Sequence, residues 1–131
     1  MIILDTHVWL RWIIQSGRGL PAGILAAIQS EPRVAVSAIS CFEVPYLLKR
    51  RRILLPLPVE AWLRDALSPA GIESLPVSWE IALHSAQLPE HHRDPADRII
   101  IATALAYDAR LASLDGAFPR YAELAGRLIS A

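Results

Sequence analysis

Four carboxylates of this chain, Asp5, Glu43, Asp97 and Asp115, are the residues whose types and spacing could do chemistry together. Asp5 ends the apolar run Ile2-Ile3-Leu4, and Asp115 ends the run Leu111-Ala112-Ser113-Leu114. Glu43 and Asp97 fall in the first turns of two expected helices. In an open parallel sheet, ligands bind beyond the carboxyl ends of the strands. Strand-end acids and helix-start acids therefore belong to one edge. Four oxygen donors without a thiolate suit a hard cation, Mg²⁺ or Mn²⁺. Such a cation activates water and offsets charge on a phosphate during in-line attack.

Capping explains each acid taken singly. Ser40-x-x-Glu43 matches a capping box. Asp94-Pro95-Ala96-Asp97 reads as an Asp cap, a proline at the first helical position and an acid where the helix dipole favours it. Asp115-Gly116 is an ordinary turn pair, and Asp5 can cap the helix that follows it. Capping does not explain why all four converge. Two carboxylates ~4 Å apart repel by about 4 kcal/mol at an effective dielectric of ~20, an expensive way to cap helices.

The elements that must position these acids alternate between β-like and helical patterns, which argues for an α/β fold with a mainly parallel sheet. Strands are expected over 2–4, 33–37, 72–77 and 111–114. Helices are expected over 6–15, 21–30, 40–51, 59–67, 78–88 and 94–107. Pro45 falls inside the third of these, and the last fifteen residues fit no single pattern. The helix from Asp97 to Tyr107 is apolar on almost every side, which predicts a sheet on one side and a second subunit on the other. The 131 residues suit one domain spanning 1–131.

Composition narrows the class further. Thirteen basic residues balance thirteen acidic ones. That balance counts against broad electrostatic binding of nucleic acid, although Lys49-Arg50-Arg51-Arg52 forms a basic run. This run reads either as a solvated helix end or as a contact for RNA phosphates or an acidic partner segment. No apolar run approaches the ~18 residues of a membrane span, despite a hydrophobic share of 53%. The start of the chain lacks a basic segment before its apolar residues, so no secretory signal is expected and a cytoplasmic location follows. The single cysteine, Cys41, excludes an internal disulfide and reads as a small core residue. Trp9 and Trp12, three apart, suit core packing or a subunit face better than base stacking. The histidines His7, His84, His91 and His92 form no i, i+4 pair, which disfavours zinc. His91, His92 and Arg93 are expected in a solvated loop within reach of substrate.

The segments Ile2-Ile3-Leu4-Asp5-Thr6-His7, Ser37-Ala38-Ile39-Ser40-x-x-Glu43, His92-Arg93-Asp94-Pro95-Ala96-Asp97-Arg98-Ile99-Ile100-Ile101-Ala102 and Leu114-Asp115 together resemble the PIN-domain family. More narrowly, they resemble the VapC-type toxins of bacterial toxin–antitoxin pairs. The resemblance implies a three-layer αβα sandwich, a Mg²⁺- or Mn²⁺-dependent endoribonuclease, a homodimer and a cognate VapB-like, DNA-binding antitoxin. It implies that Asp5, Glu43, Asp97 and Asp115 form the catalytic, metal-holding quartet. Asp94 is then chiefly a helix cap. Ser113 and Thr6 stand where they could order a carboxylate or a water, and Arg50, Arg51 and Arg93 are candidates for contact with RNA. Pro45 departs from the family pattern of a regular helix and bears on the pose of Glu43.

Two other classes fit parts of the pattern. A strand-end Asp can serve as the nucleophile of a phosphatase, but enzymes of the haloacid dehalogenase type carry a second Asp two residues on, where this chain has His7. A catalytically inert PIN-fold interaction module would keep the fold and lose acids, whereas all four acids are present.

Overall fold

Alternation of inward and outward side chains along five short strands sets the layers of the computed structural model, which describes residues 1–131. The strands are β1 (Ile2–Leu4), β2 (Val34–Ser37), β3 (Ile72–Leu75), β4 (Arg110–Ala112) and β5 (Leu128–Ile129). They lie in the order β3-β2-β1-β4-β5, and every pairing is parallel. Ile3 of β1 stands level with Ala35 of β2 and Leu111 of β4. Ile2, Leu4, Val36, Ile72 and Ala112 face one side of the sheet, while Ile3, Ala35, Leu75 and Leu111 face the other.

Six helices cover those faces: α1 (Thr6–Ile14), α2 (Ala22–Ser30), α3 (Ala38–Lys49), α4 (Val59–Asp65), α5 (Trp79–Gln87) and α6 (Pro95–Ala106). Side chains of α1, α2 and α4 join the first face, and those of α5 and α6 join the second. The result is the expected αβα sandwich, with a sheet that is wholly rather than mainly parallel. Trp9 of α1 is fully buried, donates its indole N–H to the Ala66 carbonyl at 3.1 Å and packs on Trp62. The Trp9 ring therefore serves the core, as the sequence favoured. No helix is long and apolar enough to cross a membrane.

Several boundaries differ from expectation for local reasons. The third helix begins at Ala38, because Ser37 and not Ser40 caps it: the Ser37 hydroxyl accepts the Ile39 N–H at 3.2 Å. Ser40 is inside the helix, so Ser40 and Glu43 do not form a capping box and Glu43 lies in the second turn rather than the first. Pro45 removes one backbone donor but does not end the helix, which continues to Lys49. Strand β4 stops at Ala112, three residues before Asp115. The ambiguous C-terminal stretch holds two 3₁₀ turns, Phe118–Arg120 and Ala122–Leu124, and then β5. Helix α6 is covered on its second side by α5 and α3 of the same chain. Much of its apolar surface is therefore accounted for within the chain, while Ile99 lines an open groove with Ile39 and Phe42.

Candidate metal centre

The order of strands reverses between β1 and β4, and the acids gather beyond the carboxyl ends of those two strands. Asp5 directly follows β1, and its N–H bonds the Ala112 carbonyl at 3.0 Å, which ties it to β4. It also caps α1, with Oδ1 accepting the Val8 N–H at 2.8 Å. Its Oδ2 accepts the Ser113 hydroxyl at 2.5 Å. Burial pushes the Asp5 carboxyl above its usual pKa, against the pull of the Ser113 and Val8 bonds. With both oxygens committed and only 4% of the residue exposed, Asp5 is poorly placed to attack a phosphate as a nucleophile.

The other acids form two triads that share Asp97. His92, Asp97 and Asp115 place their ligating atoms within 4.8 Å of one another, and so do Glu43, Asp94 and Asp97. Asp5 belongs to neither triad. Asp97 is the third residue of α6, which Asp94 caps by accepting the Ala96 N–H at 3.0 Å. Burial, followed by the charge of Asp94, pushes the Asp97 carboxyl up to about 7. Glu43 is also raised, by burial first and by the charges of Asp94 and Asp5, against a 2.5 Å hydrogen bond donated by the Thr6 hydroxyl. The Thr6 hydroxyl lies 2.8 Å from that of Ser40, so α3's interior serine supports the pose of Glu43.

Asp115 behaves differently. Burial works upward on it, but the Ala117 N–H and His92 outweigh that and hold its carboxyl below the usual value. Its own N–H is accepted by the Ser113 hydroxyl at 3.1 Å, so one serine orders both strand-end acids. His92 is the residue that sequence reading left in a solvated loop. Its Nε2 lies 2.8 Å from Asp115 Oδ2 and 2.9 Å from Asp97 Oδ2. In the neutral ring Nδ1 accepts the Asp94 N–H at 3.2 Å, which puts the ring proton of that form on Nε2, facing the acids; the charged ring gives up the Asp94 bond and keeps the Nε2–H. Burial opposes the charged imidazole, yet the bond to Asp115 and the charges of Asp97 and Asp115 raise the His92 pKa.

Two further residues hold His92 in place, and neither was singled out from sequence. The Tyr121 hydroxyl accepts the His92 N–H at 3.0 Å. Arg98, almost fully buried, donates to the carbonyls of Leu88 at 2.7 Å, Pro89 at 3.0 Å, His92 at 3.2 Å and Ala86 at 3.3 Å. The available signal was the charge of Arg98 in a helix whose next residues are all apolar: such a cation must find oxygen partners. Arg50 and Arg51 are exposed just past the end of α3, about two turns on from Glu43, and Arg93 lines a groove together with Glu43 and Asp94.

The residues fit a divalent cation. Donors bound to one such ion at ~2.0–2.6 Å lie no more than roughly 5 Å apart, as both triads do. No lysine or arginine forms a salt bridge with Asp5, Glu43, Asp94, Asp97 or Asp115; His92 touches Asp97 and Asp115, and the charge of His7 also favours the ionised forms of Asp5, Glu43 and Asp115. The donor set is chiefly hard oxygen.

A PIN-domain family profile matches residues 2–124, nearly the whole chain, and the chain belongs to the PIN-domain family. Within that family it is 34% identical to Ribonuclease VapC22 of Mycobacterium tuberculosis over 115 residues, 87% of this chain and 86% of that protein. The resemblance to VapC-type proteins read from the motifs therefore holds. A toxin–antitoxin complex from Klebsiella pneumoniae contains a chain of the same fold, with a TM-score of 0.68 and 24% identity, covering 98% of this chain and 96% of that one. VapBC2 from Rickettsia felis, bound to a DNA fragment from its promoter, gives a TM-score of 0.68 at 18% identity, with 98% of both chains covered.

Proposed function

We propose that this chain is the toxin of a toxin–antitoxin pair and a metal-dependent endoribonuclease that hydrolyses RNA phosphodiester bonds. The observation that carries this reading is Asp97, shared by a triad of three carboxylates and a triad of two carboxylates and His92, with no lysine or arginine paired to them. The likeness to Ribonuclease VapC22 supports RNA as the substrate class. Glu43, Asp97 and Asp115 would hold Mg²⁺ or Mn²⁺, with Asp5 fixed beneath them and Asp94 at the edge. The bound cation would supply a water of lowered pKa and offset charge on the phosphate. The chain's own contribution is orientation. Thr6 aims Glu43, and Ser113 links Asp5 to the backbone of Asp115. Arg50, Arg51 and Arg93 are the groups to meet RNA phosphates. Proteins of this fold occur in complexes with antitoxins, one of them on DNA, which supports a VapB-like, DNA-binding partner. A homodimer and a cytoplasmic location complete the reading.

The test is cleavage of total RNA by the parent and by Asp97→Asn, with Mn²⁺ and with chelator. The parent should cut only with metal, and Asp97→Asn should lose about a hundred-fold or more, the scale of removing one electrostatic group from an active site. Equal rates for the two proteins, or undiminished cutting in chelator, would overturn the assignment. An inert interaction module would show no heat of Mn²⁺ binding in calorimetry at millimolar metal.

A further inference from the structure

The acids of the two triads differ in how many of their oxygens already carry a donor. Asp115 has both engaged: Oδ1 accepts the Ala117 N–H at 2.8 Å, and Oδ2 lies 2.8 Å from His92 Nε2. Asp94 has Oδ1 on the Ala96 N–H, Glu43 has Oε1 on the Thr6 hydroxyl, and His92 reaches Oδ2 of Asp97. Asp94 Oδ2, Glu43 Oε2 and Asp97 Oδ1 are thus left to face a cation. His92 is itself firmly built in. Tyr121 and Arg98 hold its backbone, and its ring meets the buried Phe118 ring edge-on, with centroids 6.0 Å apart. The Asp94 N–H, 3.2 Å from Nδ1, keeps the single proton of a neutral ring on Nε2, and a charged ring has one there too. An imidazole that ligates through Nε2 carries its proton on Nδ1 and donates it to an oxygen, whereas here Nδ1 faces an N–H. A cation ~2.1 Å from both Asp97 Oδ2 and Asp115 Oδ2 would stand where the Nε2 proton points.

We propose that His92 is a plug: its Nε2–H fills the position between Asp97 and Asp115, so the centre takes one divalent cation, at Glu43, Asp94 and Asp97, and removal of His92 admits a second. This rests on the metal-dependent reading above and refines its ligand set, with Asp115 holding the plug rather than the ion. His92 is then a positioning residue that sets the number of cations without binding one. The plug does not depend on the charge of the ring, because the proton on Nε2 is common to both forms.

The test counts Mn²⁺ ions by electron paramagnetic resonance, with no RNA present. The parent should bind one ion per chain, and its electron spin echo should show no nitrogen bonded to the metal. His92→Ala should bind two, close enough to couple and broaden the spectrum. His92→Gln, whose amide N–H reaches about as far as Nε2, should return the count to one. Asp94→Asn keeps the helix cap and should weaken the parent's ion about ten-fold, with Asp115→Asn weakening it less. Two ions in the parent, or a nitrogen ligand to its ion, would overturn the plug and leave the metal-dependent reading standing. Those two readings of the parent decide the matter even where His92→Ala does not fold. One ion in a folded His92→Ala, or equal losses in Asp94→Asn and Asp115→Asn, would also overturn it. A parent that binds no Mn²⁺ at millimolar concentration would overturn both the plug and the metal-dependent reading.

Discussion

Asp97 belongs to two triads, and the triads differ in what opposes their charge. In Glu43–Asp94–Asp97 the one basic group in direct contact is His92, on the shared Asp97, and burial and mutual repulsion still push Glu43 and Asp97 upward. In His92–Asp97–Asp115 the imidazole Nε2 reaches both carboxylates, and Asp115 is held low. Asp97 and Asp115 are the same residue type, under 5 Å apart, and are displaced in opposite directions. Surroundings decide the outcome: Asp97 sits deep beside Asp94, whereas Asp115 is in a turn with the Ala117 N–H on Oδ1. The less opposed triad has the greater need for a cation, and the other already contains a partial substitute.

Removing the support of one triad alone is the sharpest way to break this contrast. Arg98 gathers the carbonyls of Ala86, Leu88, Pro89 and His92, two of them at the C-terminal end of α5, where the helix dipole favours a cation. Arg98→Met leaves those carbonyls without a donor and should cost about 3 kcal/mol or more, a fall of roughly 10 °C in Tm. It should also loosen His92 and raise the pKa of Asp115 towards its ordinary value, with Glu43 unchanged. Carboxylate NMR titration of the folded variant reads both. A change at Glu43 equal to that at Asp115 would show that the triads are not separately supported.

That division explains how far the sequence could be read. Asp5 and Asp115 were legible because each follows an apolar run, and a strand end fixes where its next side chains go; Ser113 was legible only through the family resemblance. The αβα layering was legible from the change of hydrophobic period between strands and helices. Glu43 was placed one turn wrong because Ser37 and Ser40 are both good caps, three residues apart, and local preference does not choose between them. The bond from Thr6 to Ser40, 34 residues away, is a tertiary contact invisible in the local pattern. His92 was missed because its position depends on Arg98 and Tyr121, and a loop has no periodicity to reveal such partners. The apolar surface of α6 was legible, but a local pattern could not say that α5 and α3 of the same chain cover much of it.

The next largest effect should come from the less opposed triad. Asp97 has an ordinary value of 3.8 when unfolded and about 7 when folded. A raised pKa means that the group's contribution to stability is fully present below 3.8 and is lost as pH rises through about 7. Asp97→Asn removes that loss. In the metal-free protein the variant should match the parent in Tm near pH 4 and exceed it by several degrees at pH 8. Mn²⁺ should stabilise the parent more at pH 8 than at pH 5.5, because it must displace the Asp97 proton at the lower value. A Tm difference between variant and parent that is the same across this range would place Asp97 in an ordinary solvated setting.

The smallest effect belongs to the opposed triad, and its pH dependence has a different shape. The pair of His92 and Asp115 needs both charges. Asp115 contributes above its lowered pKa, and His92 contributes until pH rises through its raised one. His92→Ala should therefore cost most near pH 5 to 6 and less at either extreme. Asp115 is about a third exposed, so solvent screening limits the loss to about 1 kcal/mol or less. Differential unfolding by urea across pH measures it. A loss that grows steadily up to pH 9 would mean that His92 acts as a neutral donor between the two carboxylates. The contrast between the triads would then lie in hydrogen bonding rather than in charge.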